Sequence, residues 1–352
     1  MKTAPESPPA GIDAERVTTW YLAFVPDTAP PLSFALVPGG NSNLTYIVTD
    51  REGRKTVLRR PPLGAILATA HDMAREHKII SALAATRVPV PRPLGLCTDP
   101  EVTGAPFYVM EYVPGEVLES AERTRAYLEE SARRKLGEEV VEVLAALHAL
   151  VPEEVGLGDL GKKEAYIERQ LRRWRTQWEK SKTRELPLME EVHRELERRI
   201  PPQVGACVVH GDYRIGNMLV RPDGTIAAVL DWELCTLGDP LADLGYLLND
   251  WTAPGETVLG SSRPAAAGGF PSREEILRLY AQKTGRDVSR IGYYRAFQSW
   301  RLAVIVEGVL ARFEKGVMGR STDTAALRAA VETLALEARQ LLREVRDAPA
   351  AS

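Results

Sequence analysis

Apolar and polar positions alternate in two registers along this chain, short-period early and helical later. Val17, Trp20, Tyr21 and Phe24 recur on one helical face behind Asp13, a suitable N-cap, and predict a first helix running to Val25. Residues 34–60 then read as strands: Phe34-Ala-Leu-Val, Leu44-Thr-Tyr-Ile-Val-Thr and Lys55-Thr-Val-Leu-Arg, the last two joined by an Asp50-Arg-Glu-Gly53 turn. A helix is expected from about Thr69 to Ala84, with Met73, Ile79, Ile80 and Leu83 inward. Val88 to Pro93 is extended and leads to Leu94-Gly-Leu-Cys97; the apolar run Phe107 to Val113 breaks at Pro114-Gly115.

Beyond that break the helical period dominates. Residues 134–150 carry Val140, Leu144 and Leu147, with Val151 following, at helical spacing, and residues 162–184 form a basic helix with interleaved aromatics. Asp239 before Pro240 is a sound N-cap for a helix through about Trp251. Residues 253–271, rich in Gly, Ala and Pro, read as a long loop, and three helices are expected near 272–284, 289–314 and 322–346.

The chemistry concentrates in CVVHGDYRIGNMLVRPDGTIAAVLDWELCTLGDPLADLG, residues 207–245. Asp212 follows a short strand, Asn217 stands five residues on, and Met218 to Val220 is a strand. Pro222-Asp223-Gly224 turns the chain, and Ile226 to Leu230 returns to deliver Asp231. Two acids and a carboxamide offer only oxygen donors, which suit Mg²⁺. The spacing matches H-x-D-x-x-x-x-N followed by a second Asp, the phosphoryl-transfer pattern of kinases. Asp also belongs at turns and strand ends, so Asp212 and Asp231 alone would admit that plainer reading.

At 352 residues the chain fits two or three domains or one two-lobed enzyme, and a net charge of −3 argues against a general nucleic-acid binder. Cys97, Cys207 and Cys235 are far apart and read as free thiols in a reducing cytoplasmic setting. No apolar run is long enough to span a bilayer, so no membrane partner is expected. Neither G-x-x-x-x-G-K-[ST] nor G-x-S-x-G occurs, against a P-loop enzyme and an esterase. His148, within an apolar helix, reads as a structural histidine.

HGDYRIGN with LDWE and GDPLADL resembles the aminoglycoside phosphotransferase and choline kinase family, a branch of the protein-kinase-like fold. A strand ending L-R-R-P-P and the R-Q-x-x-R-W pattern at 169–174 resemble its subgroup associated with acyl-CoA dehydrogenases. The resemblance implies an α+β, two-lobed fold: a tail (1–12), a small β-sheet N-lobe (13–112), a large helical C-lobe with the catalytic β-hairpin (113–346) and a tail (347–352). It implies a kinase transferring the γ-phosphoryl of ATP, with GTP as an alternative, to a hydroxyl of a small molecule. A hydroxyacyl-CoA-type acceptor is favoured over an aminoglycoside, whose site should be lined with carboxylates.

In that frame Asp212 takes the proton of the attacking hydroxyl, while Asn217 and Asp231 hold Mg²⁺. Arg59 replaces the usual strand lysine, paired with Glu76. Ser42 and Asn43, in a Gly/Ser/Asn loop, would meet the phosphates. The backbone of Glu111 and Val113 would bind adenine, flanked by Met110. Arg169 and Arg173 would attract an anionic acceptor, and Tyr294, Trp300 and Arg301 would line its site. Asp243 would hydrogen-bond the catalytic loop's backbone. The rival reading is a catalytically weak, pseudokinase-like nucleotide-binding module, supported by Arg in place of Lys and the reduced glycine loop. Oligomeric state is not legible.

Overall fold

The computed structural model describes residues 9–38, 43–63, 72–316 and 322–347. The α+β class holds, and the chain divides into two compact units. The first comprises residues 1–116 together with 218–221 and 226–234; the second holds 117–217, 222–225 and 235–352.

In the first unit, strands β1 (Ser33–Leu36), β2 (Leu44–Thr49), β3 (Lys55–Arg60), β4 (Pro93–Cys97) and β5 (Phe107–Glu111) form one antiparallel sheet in the order β1-β2-β3-β5-β4. Helix α1 (Ala14–Phe24) starts at Asp13, whose side chain accepts from the Arg16 N–H, and buries Val17, Trp20 and Tyr21. These meet Tyr46, Val48, Leu58, Phe107 and Val109 in one core, where each fully buried large side chain contributes about 1.5–3 kcal/mol. Phe24 departs from the predicted face: it is 59% exposed and only stacks on Trp20. Helix α2 (Met73–Leu83) is capped by Asp72 and is followed in sequence by β4; the short α3 (Pro100–Thr103) precedes β5.

Strand β6 (Glu116–Val117) closes the run that breaks at Pro114-Gly115. In the second unit α4 (Ala121–Tyr127), α5 (Glu130–His148), α6 (Tyr166–Ser181) and α7 (Pro187–Arg198) follow. Next comes β7 (Cys207–Val209). The hairpin strands β8 (Met218–Val220) and β9 (Ile226–Val229) pair antiparallel within the first unit, with Met218 opposite Val229. Strand β10 (Thr236–Gly238) pairs with β7. Helices α8 (Pro240–Asp250), α9 (Arg273–Thr284), α10 (Ile291–Glu314) and α11 (Thr324–Asp347) complete the chain. Helix α10 is buried on most of its circumference, as a central helix must be. No helix among the described residues is long and apolar enough to cross a membrane.

Candidate active site

In the first unit, Arg59 near the end of β3 is the hub of a buried charge cluster. Its Nη2 lies 2.7 Å from Asp231 Oδ1 and 3.9 Å from Glu233 Oε2, and its Nε 3.0 Å from Glu76 Oε2. Burial opposes the guanidinium charge, yet the Tyr108 phenol and the three carboxylates outweigh it and raise its pKa. Glu76 is 3% exposed. It also accepts from Tyr108 (3.0 Å) and from the Asn43 amide (3.1 Å). Burial pushes its carboxyl up, against the pull of Arg59 and the Tyr108 hydrogen bond. The expected strand-cation and helix-glutamate pair is therefore present with arginine. Lys55, on the same strand, points elsewhere, its ammonium 5.3 Å from the Tyr112 ring centroid.

Asp231 adopts a left-handed backbone, φ 66°, a conformation that Asp tolerates better than most residues. It lies between β9 and a short 3₁₀ turn, Trp232–Leu234.

One expectation in this unit changes, and others are narrowed. Asn43 is 3% exposed and its amide is spent on Glu76 and Glu233, so it braces the acidic cluster instead of facing solvent for phosphates. Ser42 lies outside the described residues. The Glu111 N–H donates to the Arg92 carbonyl at 2.9 Å, so a purine would have to be read by the Glu111 carbonyl or by Val113. Met110 is 9% exposed and mostly core.

In the second unit, the loop after β7 carries Asp212, and its backbone is held at each step. Asp243, 1% exposed on α8, accepts from the His210 N–H (2.6 Å) and the Gly211 N–H (2.8 Å), as expected for an architectural aspartate. Gly211 has φ 86°, which only glycine adopts without strain. His148 bridges Asp243 (3.4 Å) and the Tyr280 hydroxyl (2.7 Å) from inside the core. Burial raises the carboxyl pKa of Asp243, but His148, His210 and the Gly211 N–H more than compensate and lower it.

The Asp212 carboxylate accepts from Asn217 Nδ2 at 2.7 Å. Arg214 Nε stands 3.8 Å away. Burial first, then the Asp212 charge, raises the phenol pKa of Tyr246. An added Cβ on Gly216 would lie 2.2 Å from Arg214 Nη1, so the glycine makes room for this guanidinium. Asp212, Arg214 and Tyr246 line a cavity of about 180 Å³ with Asn249, Asp250 and Ser299. Sequence reading missed Tyr246, though it stands three residues after Asp243 and so shares its helix face.

The remaining acceptor candidates separate. Tyr294 (0% exposed) donates to Asp239 and Trp300 (0%) to the Met189 carbonyl; both are core residues fixed by their own hydrogen bonds. Arg301 is also buried and grips the Gly211 carbonyl. Arg169 and Arg173 do line an open groove of about 530 Å³ on α6, with Arg172, Trp174 and Lys180.

Each unit offers an oxygen of the kind that a hard divalent cation takes. With Nδ2 given to Asp212, Asn217 Oδ1 takes no hydrogen bond among the described residues, and neither does Asp231 Oδ2. No cluster of three or more His, Cys, Asp and Glu side chains of metal-holding arrangement occurs among the described residues.

A mouse (Mus musculus) protein, acyl-CoA dehydrogenase family member 10, is 35% identical over 303 residues, 83% of this chain but only 28% of the mouse protein. The chain thus spans about a third of the length of the curated relatives it matches. A crystal structure from Ralstonia eutropha JMP134, named provisionally as an aminoglycoside phosphotransferase, superposes with a TM-score of 0.81 at 33% identity, covering 94% of this chain and 98% of that one. An amicoumacin kinase solved with AMP-PNP, Ca²⁺ and its antibiotic shares the fold at 17% identity, with a TM-score of 0.60 over 95% of this chain and 94% of that one. The family model described as the phosphotransferase enzyme family matches residues 33–279, more than half of the sequence, and the chain belongs to that family.

Proposed function

We propose that this phosphotransferase moves the γ-phosphoryl group of ATP to a hydroxyl of a small molecule, with Asp212 as the base that orients and deprotonates it. The observation that carries the reading is the Asp212 carboxylate, fixed by Asn217 at the wall of a cavity it shares with Tyr246 and Arg214. In-line phosphoryl transfer needs the acceptor oxygen held and its proton received, and a carboxylate with locked geometry does both. Arg59, braced by Glu76, steadies the phosphates. Asn217 in one unit and Asp231 in the other are each candidate ligands of Mg²⁺, which when bound would neutralise phosphate charge.

For the acceptor, a hydroxyacyl-CoA-type metabolite is favoured over an aminoglycoside. The α6 groove is basic, with four cationic side chains around Trp174; that suits a phosphate-bearing molecule and repels a polycationic drug. The relatives named for acyl-CoA dehydrogenases point the same way. The test is ³¹P NMR of products formed from Mg·ATP with a panel of hydroxy compounds that includes 3-hydroxybutyryl-CoA and kanamycin. Phosphoester formation that disappears in Asp212→Ala is expected. Phosphoryl transfer that persists in that variant overturns the assignment, and turnover of kanamycin alone overturns the acceptor class.

A further inference from the structure

We propose that Arg301 is a positioning residue for the transfer step, setting the orientation of Asp212 and linking it to the α6 groove. The inference rests on the reading of Asp212 as the base and extends it to a residue 89 positions away in sequence, on another helix.

Arg301 is 7% exposed, and both its Nη1 and Nη2 donate to the Gly211 carbonyl at 3.0 Å. Nη1 also donates to Gln298 Oε1 at 3.0 Å, one helical turn back on α10, which fixes the guanidinium plane. The Gly211 carbonyl belongs to the same peptide group as the Asp212 N–H, which donates to His210 Nδ1 at 3.2 Å. That peptide is therefore gripped at both its oxygen and its hydrogen. Since the peptide is planar, its orientation fixes the Cα of Asp212 and the axis about which its side chain turns.

The guanidinium also acts through its faces. Its Cζ lies 5.1 Å from the Trp174 ring centroid and 5.8 Å from that of Tyr246, within cation–π range of both. Tyr246 stands with Asp212 in the wall of the same cavity. Trp174 belongs to the wall of the α6 groove. Arg301 thus reaches Asp212 through the backbone of the catalytic loop, and the cavity wall beside it through the Tyr246 ring. On its other side it touches an aromatic residue of the groove proposed for the acceptor's anionic part. Lysine could reach the Gly211 carbonyl, but it has neither the second coplanar donor nor the flat faces.

Turnover of Mg·ATP with water as acceptor tests this without an identified substrate. ADP release, nucleotide Kd and Tm are measured for the wild type and for Arg301→Gln, Arg301→Lys, Trp174→Leu and Asp212→Ala. Arg301→Gln is expected to lower kcat about 10- to 100-fold, the scale of a misplaced catalytic group. Nucleotide Kd should be unchanged, and Arg301→Lys should recover part of the loss. Trp174→Leu, a milder change at the groove, should lower kcat about threefold or more with Tm near that of the wild type. It keeps the test decisive even if the Arg301 variants fold poorly. Wild-type kcat in folded Arg301→Gln or in Trp174→Leu, or losses that merely follow the folded fraction, overturn the inference. ADP release unaffected by Asp212→Ala is a different failure, that of the reading beneath it.

Discussion

Asn217 Nδ2 lies 2.7 Å from the carboxylate of Asp212 and 2.8 Å from the same residue's backbone carbonyl. One amide group therefore fixes both the side chain and the main chain of the proposed base, and turns its own oxygen toward other ligands. The five-residue spacing read from the sequence has this physical meaning: the loop and the 3₁₀ turn Ile215–Asn217 fold back far enough for the amide to reach Asp212.

Asn217→Ala is accordingly expected to reduce kcat by about 10²-fold or more, by releasing Asp212. The lost hydrogen bonds to a charged group should also cost about 1.5–3 kcal/mol of stability. Steady-state kinetics with a urea titration check both. A variant with normal kcat would mean that Asp212 needs no such clamp.

Arg59 meets Glu76 and Asp231 with a side chain only 15% exposed. Removing one partner of a buried charge set strands the others, at about 3–5 kcal/mol. Arg59→Met should therefore lower Tm sharply. Glu76→Gln should do so less, because the Asn43 and Tyr108 hydrogen bonds have an amide to meet. Arg59→Lys should keep the fold but raise the KM for ATP, since an ammonium cannot span two carboxylates and phosphate as a fork does. Thermal melts and nucleotide titrations decide this.

At Asp231 the backbone and the carboxylate make separable demands. Asn accepts the left-handed conformation nearly as well as Asp, whereas Ala in that region costs about 1–2 kcal/mol. With φ at 66°, Asp231→Asn should keep the backbone unstrained and lower Tm only through the lost ion pair with Arg59, while losing Mg²⁺-dependent nucleotide binding. Asp231→Ala should add the backbone cost and lose that binding as well. Calorimetry with and without Mg²⁺ separates the two effects; tight Mg²⁺-dependent binding in both variants would remove Asp231 from the metal assignment.

What was legible in the sequence follows the range of the interactions. The hairpin, its turn and the Asp239-Pro240 cap are written in contiguous residues, and they stand where the pattern put them. The Arg59–Glu76 pair joins elements only 17 residues apart and follows from the family pattern. Helix α7 lies outside the elements expected from the sequence, although Met189, Val192, His193 and Leu196 form a helical stripe that is buried. Strands β7 and β10 have three residues each, too few for a period to show, and their pairing is long-range. The bracing role of Asn43 is not legible locally, because its partners Glu76 and Glu233 lie 33 and 190 positions away. Helical spacing marked Tyr294, Trp300 and Arg301 as inward-facing; it carries no information on whether a buried face meets a substrate or the core.

The buried pair His148 and Asp243 predicts how stability depends on pH. Burial depresses the His148 pKa below its ordinary 6.5, with Asp243 opposing only in part. The Asp243 carboxyl is also below its usual value. In both cases the unfolded chain binds a proton more readily than the folded one. Their stabilisation is therefore complete above the unfolded pKa and is lost as pH falls through the folded one. For His148 the loss begins below about pH 6.5, and for Asp243 below about pH 4. Tm should consequently drop between pH 7 and pH 5, with a slope of at most about 1.4 kcal/mol per pH unit from this one histidine. His148→Gln keeps a hydrogen-bonding side chain but cannot titrate. It should be less stable at pH 7, because the Tyr280 and Asp243 contacts are reshaped, yet flatter in its pH dependence. Melting curves of the two proteins across this range check the sign directly: parallel profiles would place the titrating group elsewhere.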